Sequence, residues 1–159
     1  MVIFFETTIS RKDRDFCDLV ESITERFSRS VHVIASSTIE AAKIDNLLWT
    51  FKKDSFVPHV ILRPGESIEE RFEKVFITVG LSFLKGCSVA VPLDTSYVED
   101  ILSFYEVCIV LVVGDDEAQK KWARELWRKL TKAGIPKQHV LANDRNSWFE
   151  IFGNIWELC

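Results

Sequence analysis

The sequence predicts a single-domain α/β fold: a three-layer sandwich with a mostly parallel central sheet and a C-terminal extension. Two observations carry this. Short continuous apolar runs at residues 2–7, 31–35, 75–79, 87–91 and 107–113 alternate with stretches of helical periodicity. Strands that are apolar on both faces belong to parallel sheets covered on both sides. The 159 residues are also one domain's worth, with no repeat, low-complexity segment or linker to divide them.

Each element has a local reason. Residues 2–7 read as a buried first strand. Residues 13–29 read as a helix, because Phe16, Val20, Ile23 and Phe27 recur at i, i+4, i+7 and i+11. After the strand at 31–35, Ser37 and Glu40 form a capping box that opens a second helix. A short strand is expected at 60–62, and Arg63-Pro64-Gly65 turns the chain. Residues 67–73 are acidic and solvated. Strands at 75–79 and 87–91 follow, then a helix at 96–104 and the longest apolar strand at 107–113. A basic helix at 118–133 ends at Gly134 in the C-cap position, with Pro136 beyond. A strand at 139–142 and a helix at 146–158 complete the chain.

Composition narrows the function. The apolar run at 2–5 ends at Glu6 with no basic segment before it, so it is not a signal peptide. No apolar stretch approaches the roughly 20 residues of a membrane span, and the default location is cytoplasmic. Cys17, Cys87, Cys108 and Cys159 show no C-x-x-C pairing, which suggests neither disulfide nor metal. The six glycines never form a phosphate-binding pattern, so a Rossmann-like sheet here carries no nucleotide cofactor signature. A Cys–His hydrolase could be assembled only on paper, from Cys87 or Cys108 with His59. No catalytic residue is assigned.

Two aromatics stand out in residues 41–59. Ala41, Ile44, Leu47, Leu48 and Phe51 share one helical stripe, while Trp49 lies roughly 145° from its centre. Phe56 follows in the loop Asp54-Ser55-Phe56-Val57-Pro58-His59. Either the pair forms a docking patch or a neighbouring loop covers Trp49.

The net charge of −4 argues against a general nucleic-acid binder, but the charge is uneven. Within residues 118–132, Lys120, Lys121, Arg124, Arg128, Lys129 and Lys132 face Glu125 alone. Lys120, Arg124 and Arg128 fall within about 80° of one another, with Trp127 at the edge of the apolar stripe. This face suits a ligand combining an apolar ring with negative charge, although a solvated helix face with a core tryptophan would read the same way.

Leu47-Leu48-Trp49 followed by Asp54-Ser55-Phe56-Val57-Pro58-His59 resembles the signature of the chi subunit of bacterial DNA polymerase III. The resemblance runs more loosely from residue 2 to Gly134, giving a chi-like domain at 1–134 and an extension at 135–159 packed on it. It implies a non-catalytic accessory of the clamp loader with an α/β architecture like that of mononucleotide-binding folds. It also implies that the basic helix binds the acidic C-terminal tail of single-stranded-DNA-binding protein, through Val113, Lys120, Arg124, Trp127 and Arg128. Trp127 would pack on the tail's final phenylalanine, Arg124 or Arg128 would take its carboxylate, and Lys120 would steer its acids. Thr131 departs from the family pattern, which expects a basic residue there. Trp49 and Phe56 match the contact with the psi subunit, a face also used by an XPD-like repair helicase. DNA is then met mainly indirectly. The rival reading is direct binding of single-stranded nucleic acid by the basic helix.

The resemblance fades over 135–159. Trp148, Phe149, Ile151, Phe152, Ile155 and Trp156 make this segment too apolar to dangle. It is expected to pack as an extra helix at the sheet edge. The alternative is that it covers the psi face.

Overall fold

Seven strands run parallel in one sheet among residues 1–54 and 56–156, which the computed structural model describes. They are β1 (Val2–Thr7), β2 (Val31–Ala35), β3 (His59–Ile61), β4 (Val75–Val79), β5 (Val89–Pro92), β6 (Val107–Val113) and β7 (Lys137–Leu141). Their order is β3-β4-β2-β5-β6-β1-β7, and the expected mostly parallel sheet is wholly parallel in these residues. The helices are α1 (Lys12–Glu21), α2 (Thr38–Thr50), α3 (Val98–Ile101), α4 (Glu117–Lys132) and α5 (Arg145–Trp156).

The pleat sorts the core into two layers. Ile3 and Phe5 of β1 pack with α1, α2 and α5 on one face. Val2 and Phe4 pack with α3 and α4 on the other. Strand β2 is buried at all five positions, which explains why its sequence is apolar without alternation except at His32.

Three elements differ from expectation. The first helix leaves α geometry at Glu21 and continues as a π-helical turn, Ser22–Arg26. Ser22 Oγ donates to the Asp18 carbonyl at 2.8 Å, and Thr24 Oγ1 donates to that of Val20 at 3.0 Å. Hydroxyls bonded back to such carbonyls disturb the α ladder, and Ser28, at φ 52°, ends the run. The helix expected at 96–104 is a 3₁₀ turn, Thr95–Tyr97, followed by the single turn of α3. At the start of α2, Ser37 Oγ accepts from the Glu40 amide at 3.1 Å. The Glu40 carboxylate, however, accepts from Ser36 rather than from Ser37.

The chain's last elements complete both the sheet and one helical layer. Strand β7 pairs with β1 at the edge. Trp148 of α5 meets Phe5 at 5.6 Å, while Phe152 and Trp156 close around Phe27 at 5.7 and 5.4 Å. The ring contacts of α5 lie against β1 and the end of the first helix, and Trp49 and Phe56 each remain 54% exposed. Leu158 and Cys159 lie outside the described residues.

One polar residue is sealed inside the sheet. His32 Nδ1 meets the Tyr105 hydroxyl at 2.5 Å, and Nε2 meets Thr78 Oγ1 at 2.7 Å. The Tyr105 hydroxyl also accepts from the Leu84 amide at 2.9 Å, tying β2, β4 and two loops together. Burial lowers the His32 pKa from 6.5 to about 4. Between these values the unfolded chain binds the proton and the folded one does not. The histidine's contribution is therefore complete above about pH 6.5 and is lost as pH falls toward about 4. Urea melts across this window should show the wild type losing about 3 kcal/mol more than His32→Asn, which lacks the titrating ring. Parallel losses in the two proteins would contradict the assignment.

Candidate functional site

Helix α4 is held firmly at both ends. Asp116 caps it by accepting from the amides of Ala118 and Gln119 at 3.0 and 3.2 Å. Its C-terminus closes in a Schellman turn: Ile135 N–H donates to the Leu130 carbonyl at 3.0 Å and Gly134 N–H to that of Thr131 at 3.2 Å. Gly134 supplies the left-handed residue this turn requires, at φ 70°. Leu126 and Leu130 bury against the sheet. Lys120, Arg124 and Arg128 are left along one wall of a groove of about 310 Å³, with Phe4, Glu6 and Val112 beneath and His139 opposite.

Trp127 stands half-buried in that wall. Phe4 meets its ring edge-on at 5.2 Å, and Lys137 Nζ lies 4.8 Å from its ring centroid. The indole is braced from below and polarised from the side, in the geometry of a cation–π contact. Thr131 donates its hydroxyl to the Trp127 carbonyl at 2.9 Å, so it is spent along the helix. Lys129 is drawn away to Glu99 of α3 at 2.9 Å.

Lys120, Arg124, Trp127 and Arg128 converge as a unit, but Val113 does not join them. Its neighbour Val112 points into the groove, whereas Val113 faces the other side of the sheet. There it lines a separate crevice of about 260 Å³ with Thr7, Lys12 and Phe16. One step along a strand reverses the face, and Val112 is the apolar residue beneath the cationic wall. Sequence reasoning also missed Glu6, Lys137 and His139. Glu6 Oε1 lies 3.1 Å from His139 Nε2, a pairing across 133 positions that no local pattern could announce. Phe4 and Glu6, two apart on β1, were the available signal, since they must share a face. Gly114 supports the pair: a Cβ there would fall 2.6 Å from Glu6 Oε2.

The second cluster lies beside β3. Trp49 sits edge-on to His59 at 4.8 Å and 5.5 Å from Phe56. His59 is buried beneath it. Its Nδ1 donates to the Val57 carbonyl at 2.6 Å, and Nε2 lies 3.1 Å from Asp45 Oδ1, close enough for an ion pair but off hydrogen-bond geometry. Pro58 biases Val57 to an extended backbone, and the amides of Lys74, just before β4, and Val75, its first residue, both donate to the Pro58 carbonyl. A rigid imidazole thus props an exposed indole. Ser55, within the same loop, lies outside the described residues.

Other sites offer less chemistry. Burial pushes the thiols of Cys87 and Cys108 up to about 11 and about 12, which weakens them as nucleophiles. Cys108 lies on β6, four strand positions from His59 on β3. Beyond β1, where a nucleotide phosphate would approach in such a sheet, carboxylates take the donors. Thr7 Oγ1 donates to Asp15 at 2.6 Å and the Ile9 amide to Asp115 at 2.8 Å. Among the described residues no cluster of His, Cys, Asp or Glu is placed to hold a metal, and no helix is long and apolar enough to cross a membrane.

Residues 1–138 match the DNA polymerase III chi subunit, HolC. The chain belongs to that family. Membership gives it an accessory role in replication, within a family that is part of the polymerase III clamp-loader complex and works through protein partners. The match ends inside β7, so α5 lies beyond it. No match was found among curated proteins. Among solved structures, the S. cerevisiae Dbp5 C-terminal domain bound to Gle1 and IP6 is similar with a TM-score of 0.68 at 15% identity, over 98% of this chain and 97% of that one. A longer S. cerevisiae Dbp5 structure bound to Gle1 and IP6 gives a TM-score of 0.66 at 13% identity, over 98% of this chain and 46% of that one. Identities this low show a shared fold alone.

The exposure difference along α2 gives a direct check. Thermal melts should show Leu48→Ala, 1% exposed, costing about 2–5 kcal/mol. Trp49→Ala, 54% exposed, should cost far less. Equal losses would mean that Trp49 is a core residue.

Proposed function

We propose that this chain tethers the clamp loader to single-stranded-DNA-binding protein by holding that protein's acidic C-terminal tail in the α4 groove. The observation that carries the reading is one braced indole, Trp127, beside Lys120, Arg124 and Arg128 in a single groove. A terminal phenylalanine would pack on the open side of the indole. Arg124 or Arg128 would grip the terminal carboxylate through paired N–H donors, and Lys120 would attract the acids that precede it. Glu6 opposes a carboxylate placed deep in the groove, and its pairing with His139 moderates that opposition.

Psi, or a helicase of the XPD type, would dock separately on Trp49 and Phe56. The two faces lie at opposite edges of the sheet, β3 and β7. Six interstrand steps separate those edges, roughly 29 Å at strand spacing, so both partners fit at once. Linking them raises the effective concentration of each near the other, without requiring either contact to be tight.

Calorimetric titration with an acidic peptide ending in phenylalanine tests the groove. Trp127→Ala and Arg128→Ala should each weaken binding by about tenfold or more, and unchanged affinity in both removes the assignment. Trp49→Ala with Phe56→Ala should abolish psi binding while leaving the peptide isotherm intact. Tight single-stranded DNA binding that falls steeply with salt, and that the peptide does not displace, would instead favour a nucleic-acid site.

A further inference from the structure

Among the described residues, strand β7 is paired on one side only, with β1. Val2 N–H donates to the Pro136 carbonyl, and Ala142 N–H donates to that of Glu6. Alternation then turns the backbone groups of Gln138 and Val140 toward β1, and those of Lys137, His139 and Leu141 toward the open edge. Of these outward groups, the Leu141 carbonyl is taken by the Asp144 amide. No bond among the described residues uses the N–H groups of Lys137, His139 and Leu141, or the carbonyls of Lys137 and His139.

This edge borders the α4 groove. The side chains of Lys137 and His139 project over the groove side, one to Trp127 and the other to Glu6. The carboxylate of Glu6 thus draws the imidazole inward, away from the outward amides. An unpaired edge normally invites another copy of the same chain. Here Lys137 on the strand and the cations of α4 beside it make a like-charged copy a poor partner and an acidic strand a good one.

We propose that an acidic peptide held in the groove also adds to β7 as an eighth strand. The inference rests on the groove being the acidic-tail site. With the terminal aromatic at Trp127, beside Lys137, the preceding acids extend past Lys120 toward Leu141, so the added strand runs antiparallel to β7. The side chains of α4 read the end of the peptide, and the edge amides hold the backbone of the residues before it.

Two N-methylated versions of the acidic peptide ending in phenylalanine separate these roles, each methylated on one alternate set of amides. Only one set faces β7 in an added strand. Methylation of that set should weaken binding by about tenfold, the loss expected for the two hydrogen bonds its amides would donate to the carbonyls of Lys137 and His139. Methylation of the other set should change little. Amide hydrogen exchange on the complex should slow at Lys137, His139 and Leu141, with no change at Gln138 and Val140, already bonded to β1. Equal binding of all three peptides, equal weakening of both methylated ones, or unchanged exchange at the edge amides overturns the added strand while leaving the groove intact. Failure of the unmodified peptide to bind overturns both.

Discussion

Strand β1 is bonded to β6 on one side and β7 on the other, so six residues must satisfy two neighbours and two faces at once. Ile3 and Phe5 serve the layer that α5 completes, while Phe4 and Glu6 lie beneath α4. The parity of this strand therefore decides which side chains support Trp127 and which support Trp148. A shift of one residue would exchange the two sets, removing the carboxylate from the groove and the brace from the indole. The register with β6 and β7 is thus a condition for the cationic site as well as for the core.

The features readable in the sequence were those set by short-range chemistry. Gly134 marked the end of α4 because only a left-handed residue completes that turn, and the angular spacing of Lys120, Arg124 and Arg128 placed them on one wall. The apolar runs announced a parallel sheet because strands buried on both faces cannot afford alternation. Features that depend on pairing were hidden. Val112 and Val113 are chemically equivalent as letters, and only the pleat distinguishes them. Glu6 and His139 meet because β7 returns beside β1 after five intervening strands. The π-turn at Ser22–Arg26 depends on which carbonyl each hydroxyl chooses, a competition the apolar periodicity does not register.

The two aromatic clusters use a common device. In each, a tryptophan is fixed by a ring beneath it, Phe4 under Trp127 and His59 under Trp49, and by a short backbone constraint nearby. A large apolar side chain that is already ordered loses less rotamer freedom when a partner covers it. The difference lies in the surroundings: cations ring Trp127, while Phe56 extends the apolar surface of Trp49. The same bracing is therefore set in surroundings of different chemical character.

The strand order has a mechanical consequence. A force drawn between β3 and β7 acts across the strands, so hydrogen bonds between neighbours are loaded one after another, as in a zipper. The resistance of such an assembly is set by its weakest border. The thinnest border is the one between β5 and β6, where two residue pairs align, against three between β3 and β4 and six between β6 and β1. By that measure a transverse load finds its weakest point at the middle of the sheet, and β6, β1 and β7, with α4 across them, lie together on one side of it.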